Sequence, residues 1–331
     1  MLRSEAALLL ASIIWGFAFV AQRAAMDHLG PFLFNAVRFG IGALTLLPFA
    51  LRGVENALPA APRAGKAPSH GARATQSGRP STASAQSTRP STSTTLPAPG
   101  RVDASWSGGA LAGVLLFGGA SLQQAGMVST TAGKAGFITA LYVVLVPLLG
   151  LFVRQRPSMG AWVGVAFAVI GLYFLCIQKS LYIVSGDALV LGGTIFWALH
   201  ILLVGSFTSR IRLTTFACVQ FATCAVLCSA VALVTESIGV AALRQAVVPL
   251  LYAGVLSTGV AFTLQIVGQR GTPPTHAAIL LALESVFAAV GGAFLLSESM
   301  TARQILGCVF MLSGVVVSQL GTLSRPAKSR A

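Results

Sequence analysis

The chain has 331 residues, of which 55% are hydrophobic and only 9% are charged, and its formal net charge is +14. Soluble domains are charged at about a quarter of their residues, so this composition excludes an ordinary water-soluble protein. Apolar runs of about 20 residues recur along the chain, and each is long enough to cross a bilayer as a helix. The sequence therefore predicts an all-α integral membrane protein.

The apolar runs predict ten transmembrane helices. In chain order they cover residues 6–26, 31–50, 108–130, 132–153, 159–177, 187–207, 214–235, 247–268, 273–296 and 302–320. Helices are expected rather than strands, because uncharged segments of this length must satisfy their own backbone hydrogen bonds in lipid and lack the alternating pattern of membrane strands.

A segment rich in Pro, Ser, Thr, Ala and Arg, residues 53–105, separates the second and third predicted helices. It has too little apolar surface to fold by itself. We expect a disordered cytoplasmic insertion, and the alternative is a tether to anionic headgroups or a phosphorylation platform. Residues 322–331 are expected to form a cytoplasmic tail.

Basic residues are distributed unequally between the two sides of the predicted helices. With the N-terminus inside, the inner side holds most of them, whereas the outer side keeps Lys179, Arg244 and Arg303. The positive-inside rule then predicts that both termini are cytoplasmic and that the chain lies in the plasma (cell inner) membrane. Because the positive charge follows the topology, nucleic acid is not expected as a partner.

Two sets of residues recur along the chain at fixed distances. Glu5 and Trp15 recur as Asp187 and Trp197 at an offset of 182 residues. At an offset of 142, a second set recurs: Leu122-Gln123, Gly126, Thr130, Ala135 and Ala140-Leu141 match Leu264-Gln265, Gly268, Thr272, Ala277 and Ala282-Leu283. The pattern predicts two copies of five helices, residues 1–177 and 186–321. Since each copy has an odd number of spans, the second copy is inverted relative to the first.

Four stretches of the chain carry a family resemblance. They are Ile14-Trp15-Gly16, Phe34-Asn35-Ala36-Val37-Arg38-Phe39, Thr131-Ala132-Gly133-Lys134-Ala135-Gly136-Phe137, and Leu283-Glu284-Ser285-Val286-Phe287-Ala288-Ala289 followed by Ser297-Glu298-Ser299. In these stretches the chain resembles the EamA-type permeases of the drug/metabolite transporter superfamily. The resemblance implies ten helices in two EamA repeats and transport without ATP hydrolysis, commonly the export of amino acids or other metabolites.

Ionisable residues within the predicted spans are candidates for the functional site, because a charge at mid-bilayer costs at least about 2.5 kcal/mol and normally faces a cavity or a partner. Glu284 and Arg38 are candidates for coupling or substrate binding, and a buried ion pair between them is the alternative. His200 is a further candidate, although a lone His can be a hydrogen-bonded packing residue. Lys134 begins the fourth span, where it can bind substrate or reach the membrane surface.

Neutral polar and aromatic residues extend the candidate site. They are Trp15, Trp197, Gln123, Gln265 and Tyr142, and Phe19 and Gln22 share a helix face with Trp15. Aromatic walls with amide groups suit an amphipathic organic solute better than a bare ion. Hydrogen bonding between helices is the alternative role of the amides.

Together these residues favour a secondary active transporter of a small polar or amphipathic metabolite, such as an amino-acid-like compound or a drug, acting as an exporter by alternating access. A membrane-embedded enzyme and a structural or sensor membrane protein are the alternatives. The sequence contains no hydrolase or phosphate-loop motif, and its five cysteines lie in apolar runs without metal-ligand spacing. We therefore expect no enzymatic activity, metal or cofactor. The expected partners are a small-molecule substrate and membrane lipid, with the chain as a monomer or a homodimer.

Overall fold

The computed structural model describes residues 2–52, 100–176, 184–208, 211–295 and 301–323, which form helices joined by short connections. The α-helices are α1 (Leu2–Ala25), α2 (Pro31–Arg52), α3 (Gly100–Gly126), α4 (Ala132–Ala140), α5 (Tyr142–Phe152), α6 (Met159–Cys176), α7 (Ser185–Phe207), α8 (Leu213–Thr235), α9 (Val240–Gln245), α10 (Val247–Leu251), α11 (Phe262–Gln269), α12 (Pro274–Leu281), α13 (Glu284–Leu295) and α14 (Ala302–Leu323). A π-helix, Tyr252–Ala261, joins α10 to α11.

The segment predicted to be a disordered insertion extends less far than expected. Helix α3 begins at Gly100, so the last residues of the predicted insertion 53–105 are helical. Their position depends on a tertiary contact, because the hydroxyl of Ser105 accepts a hydrogen bond of 2.7 Å from the backbone N–H of Arg212. Residues 53–99, residues 324–331 of the predicted tail, and Glu298 lie outside the described residues.

Eight helical stretches in the described part of the chain are long and apolar enough to cross a membrane. They are Arg3–Ala25, Pro31–Arg52, Ala104–Met127, Ala132–Phe152, Ser185–Phe207, Leu213–Thr235, Val247–Gln269 and Pro274–Gly291, with two shorter apolar helices at Met159–Phe174 and Ala302–Ser318. Many large apolar side chains, including Leu51, Phe152 and Val234, lie on the outer surface. Extended exposed apolar surface is typical of contact with lipid or another protein.

Two of the predicted spans are broken near their middle, where the sequence pattern predicts continuous helices. The fourth span is divided at Leu141 into α4 and α5, and the ninth is divided at Ala282 and Leu283 into α12 and α13. At each break a backbone N–H bonds to the carbonyl three residues earlier, from Leu141 to Ile138 and from Ser285 to Ala282. This tighter winding interrupts the α-helical pattern. Hydropathy does not detect such breaks, because the residues at them are apolar.

The packing of α6 on α14 depends on glycines at two crossing points. Gly164 packs against the carbonyl of Gly314, and Gly171 packs against the carbonyl of Gly307. Small residues allow two membrane helices to bring their backbones close together. A larger side chain at these points would push α6 and α14 apart.

The beginning of α2 is fixed by an acidic residue from a distant helix. The carboxylate of Glu236, at the end of α8, accepts hydrogen bonds of 2.9 Å and 2.7 Å from the backbone N–H groups of Phe32 and Leu33. These donors have no partner within their own helix at its first turn. Helices α2 and α8 also pack along their length, where the rings of Phe39 and Phe221 are 6.2 Å apart.

Candidate functional site

A cavity with about 490 Å³ of empty space, including open space at its mouth, lies between the helices. Its walls come from both halves of the chain: Trp15, Phe19, Gln22, Arg38, Gln123, Thr139, Tyr142, Trp197, Ile201, Ser257, Phe262, Gln265 and Glu284. Seven of the nine site residues proposed from the sequence line this cavity. They are Glu284, Arg38, Trp15, Trp197, Gln123, Gln265 and Tyr142.

The cavity brings a cation and an acid together without an ion pair between them. Arg38 and Glu284 are 3% and 4% exposed, and neither forms a salt bridge within the described chain. The buried ion pair considered from the sequence is therefore not formed. Arg38 instead donates from Nε to Oδ1 of Asn35 at 2.9 Å, and its guanidinium carbon lies 4.7 Å from the ring centre of Phe39.

The orientation of Arg38 is fixed by its neighbours. Asn35, which accepts its Nε–H, donates from Nδ2 to the carbonyl of Ala120 on α3 at 3.0 Å. The ring of Phe34 is a second aromatic neighbour, with its centre 5.5 Å from the guanidinium carbon. Cation–π contacts of a desolvated arginine are worth about 2 kcal/mol. The guanidinium is therefore held at the cavity wall without a carboxylate partner.

Glu284 and Tyr142 occupy corresponding places in the two broken helices. Tyr142 is the first residue of α5, and Glu284 is the first residue of α13. Their side chains lie near each other, but the Tyr142 hydroxyl and the Oε1 atom of Glu284 have no hydrogen-bond partner among the described residues. The start of a helix favours a negative charge. A buried carboxyl group in this position requires a proton or a cationic partner.

Amide groups form a hydrogen-bonded network on one wall of the cavity. Gln123 donates from Nε2 to Oε1 of Gln22 at 3.2 Å, and its own Oε1 accepts from the indole of Trp197 at 2.9 Å and from Thr139 at 3.3 Å. In contrast, the Oε1 atom of Gln265 has no partner in the described chain. One glutamine is thus used in the protein itself, whereas the other presents a buried acceptor.

Three aromatic rings line the cavity beside these polar groups. The ring centres of Trp15 and Trp197 lie 4.7 Å and 6.0 Å from that of Phe262, so Phe262 contacts both indoles. The Trp15 indole donates to the carbonyl oxygen of Ser257 in the π-helix at 3.0 Å. The rings provide an apolar surface for the carbon skeleton of a bound molecule.

Two residues proposed from the sequence do not line the cavity. His200 packs against Trp197 and Phe262 behind the wall, and its Nε2 lies 3.0 Å from Oε1 of Gln220. Lys134 forms a 3.1 Å ion pair with Asp187. For His200 the hydrogen-bonded packing role considered from the sequence fits the geometry. Lys134 joins the beginning of α4 to the beginning of α7.

Sequence reasoning missed four residues of the cavity wall, namely Thr139, Ile201, Ser257 and Phe262. Ile201 and Phe262 are apolar residues in apolar helices, and nothing in the local pattern separates them from residues that face lipid. Thr139 precedes a helix break and Ser257 lies in the π-helix. The positions of both therefore depend on features that hydropathy does not predict.

Comparisons with known proteins agree with this architecture. Residues 2–64 and 184–319 match the EamA-like transporter family. An uncharacterized transporter of Archaeoglobus fulgidus is 28% identical over 320 residues, which cover 96% of this chain and 86% of that protein. The threonine/homoserine exporter RhtA of Salmonella typhimurium is 29% identical over 192 residues, which cover 53% of this chain and 57% of the exporter.

The fold also resembles that of a solved crystal structure. The TM-score is 0.69 over 97% of this chain and 99% of that chain, at 14% identity. A likeness at this identity shows the fold alone. The assignment to a family rests on the matched residues, which make up more than half of the chain. This multi-pass membrane protein belongs to the EamA-like transporter family.

Proposed function

We propose that the protein is a secondary active transporter that exports a small polar or amphipathic metabolite, such as an amino-acid-like compound, by alternating access. One observation carries the proposal: a single cavity holds a buried arginine and a buried carboxyl group that do not form an ion pair with each other. A charge inside the bilayer costs at least about 2.5 kcal/mol. Two such groups on one cavity wall argue for a ligand that interacts with both.

The chemistry of the wall favours a zwitterionic solute. A carboxylate suits the guanidinium of Arg38, and an ammonium group suits the carboxyl group of Glu284, because hydrogen bonds between charged groups are stronger than neutral ones. The aromatic rings would cover the apolar part of the solute. The name of the Salmonella relative, a threonine/homoserine exporter, supports the same class. Binding would need no metal or cofactor, and the transporter names of the relatives point away from an enzyme.

Alternating access would use ten spans in two inverted repeats, residues 1–177 and 186–321. Corresponding contacts in the two halves support this arrangement, because Gly126 packs against Val190 and Gly268 packs against Leu8. The glycines are 142 residues apart and their partners 182, which are the two offsets of the sequence repeats. Rocking one repeat against the other would open the cavity to each side in turn.

Counterflow in liposomes tests the proposed function directly. Purified protein is reconstituted in liposomes loaded with an unlabelled amino acid, and entry of the same labelled amino acid is followed, beginning with threonine and homoserine and extending to other amino acids. Transient accumulation above that of protein-free liposomes is the expected result for at least one solute. Absence of counterflow with every solute, together with chemical change of a lipid headgroup, would favour a membrane enzyme instead.

The proposed orientation places both termini and the 53–99 segment in the cytoplasm of a cell with this protein in its inner membrane. A single cysteine at Ser84 or at Ser329, in a background without native cysteines, should resist an impermeant thiol reagent in intact cells. Both sites should react after the cells are permeabilised, which controls for accessibility. Rapid labelling of either cysteine in intact cells would contradict the orientation.

A further inference from the structure

The two halves of the chain differ by one residue in a place where they otherwise match closely. Ala112-Gly113-Val114-Leu115 recurs as Ala253-Gly254-Val255-Leu256 at an offset of 141 residues, whereas Leu122-Gln123 recurs as Leu264-Gln265 at 142. The second half therefore contains one additional residue between Leu256 and Leu264.

The structure shows where the additional residue is accommodated. Helix α3 is α-helical from Gly100 to Gly126, whereas the corresponding part of the second half contains the π-helix Tyr252–Ala261. Within it the Thr258 hydroxyl donates to the carbonyl of Ala253, five residues earlier. A π-helix takes up an extra residue by widening its turns, and such segments occur frequently at functional sites.

Packing contacts confirm that the helices match on the N-terminal side of the π-helix. Gly113 packs against Thr223 and the carbonyl oxygen of Gln220, while Gly254 packs against Ile41 and the carbonyl oxygen of Arg38. These partner residues are again 182 apart. On the C-terminal side of the π-helix, Gln123 and Gln265 both line the cavity. The additional residue thus lies between two pairs of corresponding positions.

The extra residue coincides with a change in the hydrogen bonds of the indoles. In the first half Gln123 accepts the indole N–H of Trp197 at 2.9 Å. The corresponding indole, that of Trp15, donates instead to the carbonyl of Ser257 within the π-helix at 3.0 Å. Gln265 therefore lacks the donor that its counterpart has. Its Oε1 is left without a partner in the described chain although the residue is only 1% exposed.

We propose that Gln265 and Glu284 form a subsite for a protonated primary amine, and that the π-helix leaves Gln265 available for it. Both residues line the cavity, and each has a buried carbonyl or carboxyl oxygen without a partner among the described residues. A protonated amine carries N–H donors and no acceptor, and it supplies the positive charge that Glu284 lacks. This inference rests on the proposed function in one respect, since it takes the cavity as the substrate site.

Tryptophan fluorescence tests the subsite without a transport assay. The chain has four tryptophans, so Trp106→Phe and Trp162→Phe leave only the two indoles of the cavity. Purified protein is titrated with n-butylammonium and with n-butanol, which differ in the charged group alone. The ammonium should bind at least about tenfold more tightly than the alcohol, the size expected of one hydrogen bond to a charged group. Gln265→Leu should remove most of this preference, and Gln265→Glu, which keeps the acceptor, should retain it.

Gln269→Leu is the matched control for Gln265→Leu. Gln269 lies on the same helix, is also buried and also has an Oε1 atom without a partner in the described chain, but it does not line the cavity. The preference for the ammonium should persist in this variant. Equal binding of the two probes by the parent protein, a full preference in Gln265→Leu, or the same loss in Gln269→Leu would overturn the proposal.

The two proposals fail separately. A preference for butylammonium without counterflow of any amino acid would keep the amine subsite and contradict the proposed transport of amino acids. Counterflow of an amino acid together with equal binding of the two probes would keep the proposed function and contradict the subsite.

Discussion

Replacing Glu284 with Gln is expected to reduce pH-driven accumulation of substrate to the level of protein-free liposomes, while the variant reaches the membrane in normal amount. Gln keeps the size of the side chain but cannot exchange a proton. In the folded protein the carboxyl group lies in the cavity with no basic residue paired to it in the described chain, so a proton and a cationic ligand can replace each other there. Accumulation in liposomes under an imposed pH gradient is the measurement.

Asp27→Asn is the matched control for the loss of a carboxylate. Asp27 pairs with Arg23 at the end of α1, and both side chains are substantially exposed. Surface ion pairs of this kind contribute about 0–1 kcal/mol, so transport should be unchanged. A well-expressed Glu284→Gln protein with normal transport and a normal response to pH would contradict the coupling role. Misfolding that Arg38→Gln relieves would indicate a structural interaction between the two charges.

Replacing Arg38 with Gln is expected to raise the half-saturating concentration of a substrate with a carboxylate by about 10- to 100-fold, because a hydrogen bond to a charged group contributes about 1.5–3 kcal/mol. The amide of the same amino acid, which has no carboxylate, should be affected much less. Arg38→Lys should fall between the two, since Lys keeps the charge but loses the planar group that contacts the ring of Phe39 and the side chain of Asn35. Initial rates of counterflow over a range of concentrations give these values.

Arg23→Gln controls for the removal of a positive charge near the cavity. Arg23 is on α1, as are three residues of the cavity wall, but its guanidinium forms the exposed pair with Asp27. The kinetics of this variant should match those of the unmodified protein. If Arg38→Gln weakens the amino acid and its amide equally, Arg38 acts through the shape of the cavity and not through recognition of a carboxylate.

Several parts of the candidate site could be predicted from polarity alone. Glu284, Arg38 and Gln265 were found because polar side chains within apolar runs are costly unless they face a cavity or a partner. The same rule also selected Lys134 and His200. It could not separate them from the cavity residues, because a polar residue satisfied by a neighbouring helix and one that faces a cavity look alike in the sequence.

The sequence by itself determined the membrane class, the positions of the apolar spans and most polar residues of the cavity. These follow from composition and run length, which are local properties of the chain. Only the tertiary structure decided that two spans break beside the cavity, that Arg38 and Glu284 do not pair, and that Gln123 is occupied while Gln265 is not. These features depend on contacts between helices far apart in the chain, such as that of Trp15 with the carbonyl of Ser257, 242 residues away. The energies of such contacts have no signature in the local pattern of residues.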